Sequence, residues 1–199
     1  LQRLAVTDHN ILDGAHRAAE IDPELIIPGE EIMTTGGELL AYYVREHVPP
    51  GLTPPKTIEI LCQQGAVISV AHPFDSMRAG HWDEAELREI LGNFGPIDLL
   101  WFDWDGHEPL YDQSETYKIV KALQPNIVIN NRLDLGPGNS DRLILSANAD
   151  YYTPEQAVGA YDDQRPWESC MTTSRRGQWA WGGSEDGVKS LEACLGMLI

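Results

Sequence analysis

The run Ile97-Asp-Leu-Leu-Trp-Phe102 is almost wholly apolar and ends at once in Asp103 and Asp105, which places carboxylates where a buried strand stops. In parallel sheets the C-terminal strand ends hold active sites, so Asp103 is a candidate for acid or nucleophile chemistry. The bland alternative is an Asp capping the next helix. A second group is built from imidazole and carboxylate: Thr7-Asp8-His9-Asn10, Pro28-Gly-Glu30-Glu31 and Ala71-His72-Pro73-Phe-Asp75 each follow a short apolar run. Such donors suit hard or borderline divalent metals. Either histidine alone reads as well as a turn or core residue, and Glu38 reads as a solvent-facing strand residue.

Alternating strands and helices must position these groups, which predicts an α/β fold of parallel βα units. Asp13 to Glu20 reads as a helix capped by Asp13, followed by strands at Leu25–Ile27 and Leu39–Val44. Thr53 and Pro54 start the next helix, with Ile58, Leu61 and Cys62 on one face and Gly65 at its end. Ala66 to Ala71 is a buried strand that delivers His72. Asp83 to Phe94 is an amphipathic helix with Leu87, Ile90 and Leu91 on one side, and it leads into the Asp103 strand. A helix carrying Tyr117, Val120 and Lys121 stops near Pro125, and Asn126 to Asn131 is the next strand, ending in Arg132. Leu135 to Asn148 is a long polar loop of the kind that serves function.

Composition narrows the partners. With 31 acidic against 14 basic residues the formal charge is −17, which repels phosphate backbones and anionic membranes, so neither nucleic acid nor membrane is expected. The 199 residues, 42% hydrophobic, can bury a core of ordinary size. Cys62, Cys170 and Cys194 lack disulfide-framework or zinc-ribbon spacing and read as free thiols. No stretch has membrane-helix length and no leader pattern stands at the start, which leaves the compartment unassigned.

From about Ala85 onward the sequence resembles the α-L-fucosidase family of retaining glycoside hydrolases. The resemblance runs through Glu86-Leu-Arg-Glu-Ile-Leu-Gly-Asn-Phe-Gly-Pro-Ile-Asp-Leu-Leu-Trp-Phe-Asp103, Leu123-Gln-Pro-Asn-Ile-Val-Ile-Asn-Asn-Arg132, Asp150-Tyr-Tyr-Thr-Pro-Glu155 and Trp167-Glu168-Ser-Cys-Met-Thr, in that order. It implies a TIM-like barrel acting without cofactor on a fucosylated glycan or small fucoside. Asp103 would be the nucleophile and Glu155 the acid/base, with Glu168 the alternative; Asp105, Arg132, Trp104 and Trp181 would contact substrate. Sugar rings stack on aromatic faces, and Trp101, Trp104, Tyr151, Tyr152, Trp167, Trp179 and Trp181 are concentrated here, although Trp101 and Trp167 could equally fill the core.

The first 80 or so residues resemble the PHP (polymerase and histidinol phosphatase) family of metal-dependent phosphoesterases, through the three His and carboxylate motifs and Val48-Pro-Pro-Gly-Leu-Thr-Pro. That resemblance implies zinc or manganese on His9, Glu31 and His72, with Asp8 beside them. The PHP family's His-x-His and Asp-x-His motifs and the fucosidase family's paired sugar-binding histidines have no counterpart here. The expectation is therefore a hybrid or partial barrel, PHP-like over residues 1–82 and fucosidase-like over 83–199, joined near Ala79 to Ala85. Weak metal binding, impaired glycosidase activity and strand edges open to homo-oligomerisation follow from it. A non-catalytic remnant is the third reading.

Overall fold

The computed structural model describes residues 3–76, 78–103, 112–134, 148–155, 166–175 and 187–196. Six strands form one sheet in sequence order: β1 (Leu4–His9), β2 (Ile26–Met33), β3 (Glu38–Tyr42), β4 (Val67–Ala71), β5 (Leu99–Trp101) and β6 (Val128–Ile129). β1 and β2 are parallel, as are β4, β5 and β6, while β3 lies antiparallel to both its neighbours. All strands except β3 therefore run the same way. The parallel βα architecture holds, with a hairpin set into it: β2 and β3 are joined by only four residues, too few for the crossover that a parallel neighbour needs. Asp8, His72, Asp103 and Asn131, each at or just beyond the end of its strand, consequently share one rim of the sheet.

Helices α1 (Asp13–Ile21), α2 (Pro54–Gln64), α3 (Glu84–Asn93) and α4 (Gln113–Leu123) link the strands, and α5 (Leu191–Gly196) follows. Gly65 ends α2 at φ 72°, a left-handed conformation that costs glycine no Cβ clash. α3 begins with a full capping box, Asp83 accepting from Glu86 N and Glu86 from Asp83 N. Ile58 and Leu61 from α2, Leu87, Ile90 and Leu91 from α3 and Val120 from α4 pack on Ile68, Val70, Leu100 and Ile129 of the sheet.

Several local expectations change. The cap of α1 is Leu12, with Asp13 inside the first turn, and Thr53 caps α2 without a side-chain hydrogen bond. Cys62 is exposed, since the inward arc of α2 is Thr57, Ile58 and Leu61. β2 extends through Glu30 and Glu31, held there by pairing on both sides. β6 is shorter than expected, because Asn131–Asp134 turns into a 3-10 helix. Glu38, read as solvent-facing, is only 6% exposed: residues Gly80 to Trp82 fold over it, with Glu38 N donating to Gly80 O at 2.9 Å and Trp82 Nε1 to Glu38 O at 3.0 Å.

Beyond β6 the parallel pattern continues in single bridges, Asn130 with Tyr151, Tyr152 with Trp167, and Glu155 with Cys170. Tyr42 on β3 nevertheless donates to Glu168 Oε1 at 3.4 Å. Strands stand about 4.8 Å apart, so a residue on the third strand meets one beyond the sixth only if the sheet curls. Among the described residues the curl does not close into a barrel.

Candidate active site

Asp103 emerges from β5 into a cluster of cations. Arg132 Nη1 contacts its Oδ1 at 2.5 Å and Arg78 Nη2 its Oδ2 at 2.7 Å, while His72 Nδ1 lies 3.7 Å from Oδ2. Burial opposes the charge of Asp103, but Arg132, His72 and Arg78 together outweigh it and hold the carboxyl below its usual range. The strand end is fixed from the neighbouring strand. The buried Asn130 side chain accepts from Phe102 N at 2.9 Å and donates to Phe102 O at 2.8 Å, acting as a piece of ladder just before Asp103.

Arg132 is the hub. Its side chain is fully buried, and Nε and Nη2 donate to Thr153 Oγ1 and O at 3.1 and 3.2 Å. Its guanidinium lies 4.3 Å over the Trp101 ring, so this buried tryptophan supports a site residue as well as filling the core. The same Nη1 that holds Asp103 also meets Glu155 Oε2 at 2.9 Å, bringing the two carboxylates to one nitrogen.

Glu168 occupies a different environment. Tyr42 donates to its Oε1 at 3.4 Å, Trp101 and Tyr151 stand beside it, and burial, only partly offset by Arg132, pushes its carboxyl above the usual range. Burial and the Glu168 charge in turn raise Tyr42 and Tyr151 well above a normal phenol. Burial likewise drives the Cys170 thiol up to about 12, which rules it out as a thiolate nucleophile near neutral pH.

The imidazole and carboxylate groups gather beside this site. His9 Nε2 is 3.4 Å from Glu31 Oε2 and His9 Nδ1 is 3.5 Å from Glu38 Oε1; His72 Nε2 is 3.0 Å from Glu31 Oε1. The Glu38 hydrogen bond raises His9 despite burial, and Glu31 is held low, against burial, chiefly by His72. Asp8 does not join them. Successive strand residues point to opposite faces, and Asp8 Oδ2 lies toward Gly14 of α1, 3.6 Å from where a Cβ on that glycine would stand.

Asp103, Glu155, Glu168, Arg132, His9, Glu31 and His72 thus lie in one connected region. Trp104, Asp105 and Trp181, together with Trp179 and the loop from Leu135 through residue 147, fall outside the described residues. Arg78, Tyr42 and Asn130 were not singled out from sequence. Arg78 follows no apolar run, and Tyr42 reads as one more alternating strand residue; only Asn130, next to Asn131-Arg132, carried a usable signal.

The alpha-L-fucosidase family model matches residues 73–199. The chain belongs to the alpha-L-fucosidase family. Glycosidases of that family need no cofactor. Among solved structures it is similar to alpha-L-fucosidase isoenzyme 1 from Paenibacillus thiaminolyticus, at 26% identity over 61% of this chain and 32% of that one, with a TM-score of 0.39. An AlfC alpha-L-fucosidase variant in complex with Fuca(1,6)GlcNAc matches at 28% identity over 40% of this chain and 19% of that one, TM-score 0.25. Two uncharacterised proteins of Methanocaldococcus jannaschii are 35% and 36% identical over 77 and 90 residues, or 37% and 44% of this chain. The chain spans 45% and 35% of the length of these relatives.

Proposed function

We propose that the chain carries a retaining α-L-fucosidase site acting on terminal α-L-fucosides, with Asp103 as nucleophile and Glu168 as acid/base. What supports this is the contrast in setting of the two carboxyls: Arg132 and Arg78 take the two oxygens of Asp103 at 2.5 and 2.7 Å, while Glu168 meets the Tyr42 hydroxyl at 3.4 Å and is shifted upward by burial. An oxygen of Asp103 attacks the anomeric carbon as the glycosidic bond breaks, and the leaving oxygen takes the Glu168 proton. Water, giving its proton back to Glu168, then attacks the same carbon and releases Asp103 with net retention.

Glu155 shares Arg132 Nη1 with Asp103 and suits orientation of that arginine better than proton donation. Arg132, Trp104, Asp105 and Trp181 are the proposed sugar contacts. Activity on an aryl α-L-fucoside should survive chelation and vanish in Asp103→Ala. Glu168→Gln should slow an alkyl fucoside by about 10²–10⁴-fold, while an activated aryl fucoside, whose leaving group needs no proton, still forms the glycosyl-enzyme. If Glu155→Gln shows that split instead, the acid/base role passes to Glu155.

A second reading rests on a separate observation. His9, Glu31 and Glu38 offer donor atoms all within 4.8 Å of one another, and His72 Nε2 reaches the same Glu31. Ligand atoms at about 2.0–2.1 Å from a tetrahedral zinc stand roughly 3.3 Å apart, so these donors would have to draw inward to hold a zinc or manganese ion. Such an ion would supply Lewis-acid chemistry to a PHP-type phosphoesterase, with its donors in the PHP-like residues 1–82 and the fucosidase-like part in 83–199, although β4 and β5 pair across that division. Chelator-sensitive hydrolysis of an aryl phosphate, lost in His72→Ala, would favour this reading. A folded protein silent in both assays is a non-catalytic remnant.

A further inference from the structure

The region around Asp103 and Glu168 is completed by residues from outside the strands that carry them. Tyr42 stands on β3, before the family-matched residues, and its Oη donates to Glu168 Oε1 at 3.4 Å. Arg78 lies in the connection after β4, where a turn closed by Arg78 N to Asp75 O at 3.0 Å aims its side chain inward. There its Nε donates to the Oδ2 of Asp75, a buried carboxylate, at 2.8 Å and its Nη2 to Asp103 Oδ2 at 2.7 Å.

We propose that Arg78 and Tyr42 are positioning residues of the glycosidase pair, Arg78 fixing the rotation of the Asp103 carboxylate and Tyr42 that of Glu168. This rests on the assignment of Asp103 and Glu168 made above. Arg132 takes Oδ1 of Asp103 and Arg78 takes Oδ2, so the carboxylate cannot turn without losing a charge-assisted hydrogen bond. Arg132 is locked by Thr153 and Trp101, whereas Arg78 is held by Asp75 and is 37% exposed on its side chain. Asp75 therefore sets where the second guanidinium stands. On the other carboxyl, Tyr42 meets Glu168 from the far side of the curled sheet, while Tyr151 comes from the segment bridged to its own and Trp101 from β5. The hairpin that interrupts the parallel sheet thus becomes one wall of the site.

The test uses the full chain with carboxyl-¹³C aspartate and glutamate, the two signals being assigned with Asp103→Asn and Glu168→Gln. Removing a cation from a carboxylate raises its titration midpoint, and so does removing a hydroxyl donor. Arg78→Ala should move the Asp103 midpoint upward, with Arg78→Lys between it and the wild type. Tyr42→Phe should leave Asp103 alone and move Glu168 upward. In pH profiles of kcat/KM with an alkyl α-L-fucoside, whose leaving group needs the Glu168 proton, the acid limb should rise in Arg78→Ala and the basic limb in Tyr42→Phe. Arg78→Ala should also lower kcat/KM by about 10- to 100-fold, the scale of a misplaced reacting group. Titrations that stay in place in folded Arg78→Lys and Tyr42→Phe proteins overturn the proposal, whether or not turnover is seen. Full activity in Asp103→Ala overturns the nucleophile assignment instead, and the titrations still decide the two contacts.

Discussion

Asp103 and Glu168 respond to pH with opposite signs. Asp103 is held below its unfolded value, so its contribution to stability is present above the unfolded carboxylate range, about 3.9 for aspartate, and is lost as pH falls through the folded value. Asp103→Asn leaves two guanidinium groups short of a partner and should be less stable near neutrality. The gap to wild type should close as pH falls below about 4, read from urea midpoints across a pH series. Glu168 is held above its unfolded value, so its favourable state is present below that value and is lost as pH rises. The stability of Glu168→Gln relative to wild type should therefore improve from pH 4 toward pH 8, even though the variant is slow on alkyl fucosides. Melting temperatures that move the other way would place Glu168 in a more solvated setting than its Trp101 and tyrosine partners imply.

At the scale of elements, precision at Asp103 depends on the short β5 and β6. The β5–β6 ladder is brief, and the Asn130 side chain extends it by holding both backbone groups of Phe102. Asn130→Ala would remove both of those buried hydrogen bonds, at a cost of about 1 kcal/mol each. Denaturant unfolding should show that loss, and kcat should fall further than KM rises, because the nucleophile rather than the sugar contacts is loosened. Asp83→Ala is the contrasting change. It removes the capping box of α3, in which the Asp83 and Glu86 side chains bond each other's backbone N–H groups, and should cost about 1 kcal/mol while leaving the fucoside profile unchanged.

At the scale of the whole chain, the glycosidase carboxylates and the imidazole cluster share His72, whose Nε2 faces Glu31 and whose Nδ1 faces Asp103. A ligand that binds only the folded protein stabilises it by RT ln(1 + [L]/Kd), about 2.7 kcal/mol at a hundredfold excess over Kd. If zinc or manganese settles on His9, Glu31, Glu38 and His72, added metal should raise the melting temperature of the wild type and not of Glu31→Gln. A melting temperature that does not respond at millimolar metal would exclude that site at useful affinity. The charge of −17 favours cation uptake and disfavours phosphate backbones as partners.

The sequence by itself determined the strand and helix order, the buried run that ends at Asp103, the place of Arg132 at the next strand end, and the α-L-fucosidase resemblance. These are local: an apolar run bounded by polar residues reports its own burial, and a strand end reports which side chains leave the sheet. Tertiary structure decided the rest. Whether Glu38 is wet or buried depends on Gly80 to Trp82 folding over it, and no periodicity in β3 reports a loop some 40 residues later. Asp8 and His9 look like one motif in the chain, yet the pleat sends them to opposite faces. Tyr42 acquires its partner only when the sheet curls and brings β3 against residues beyond β6, and Arg78 meets Asp103 only because β4 and β5 pair. Which carboxyl stays charged follows from the same closure, because desolvation and a neighbouring guanidinium act through space and leave no mark on the spacing of the sequence.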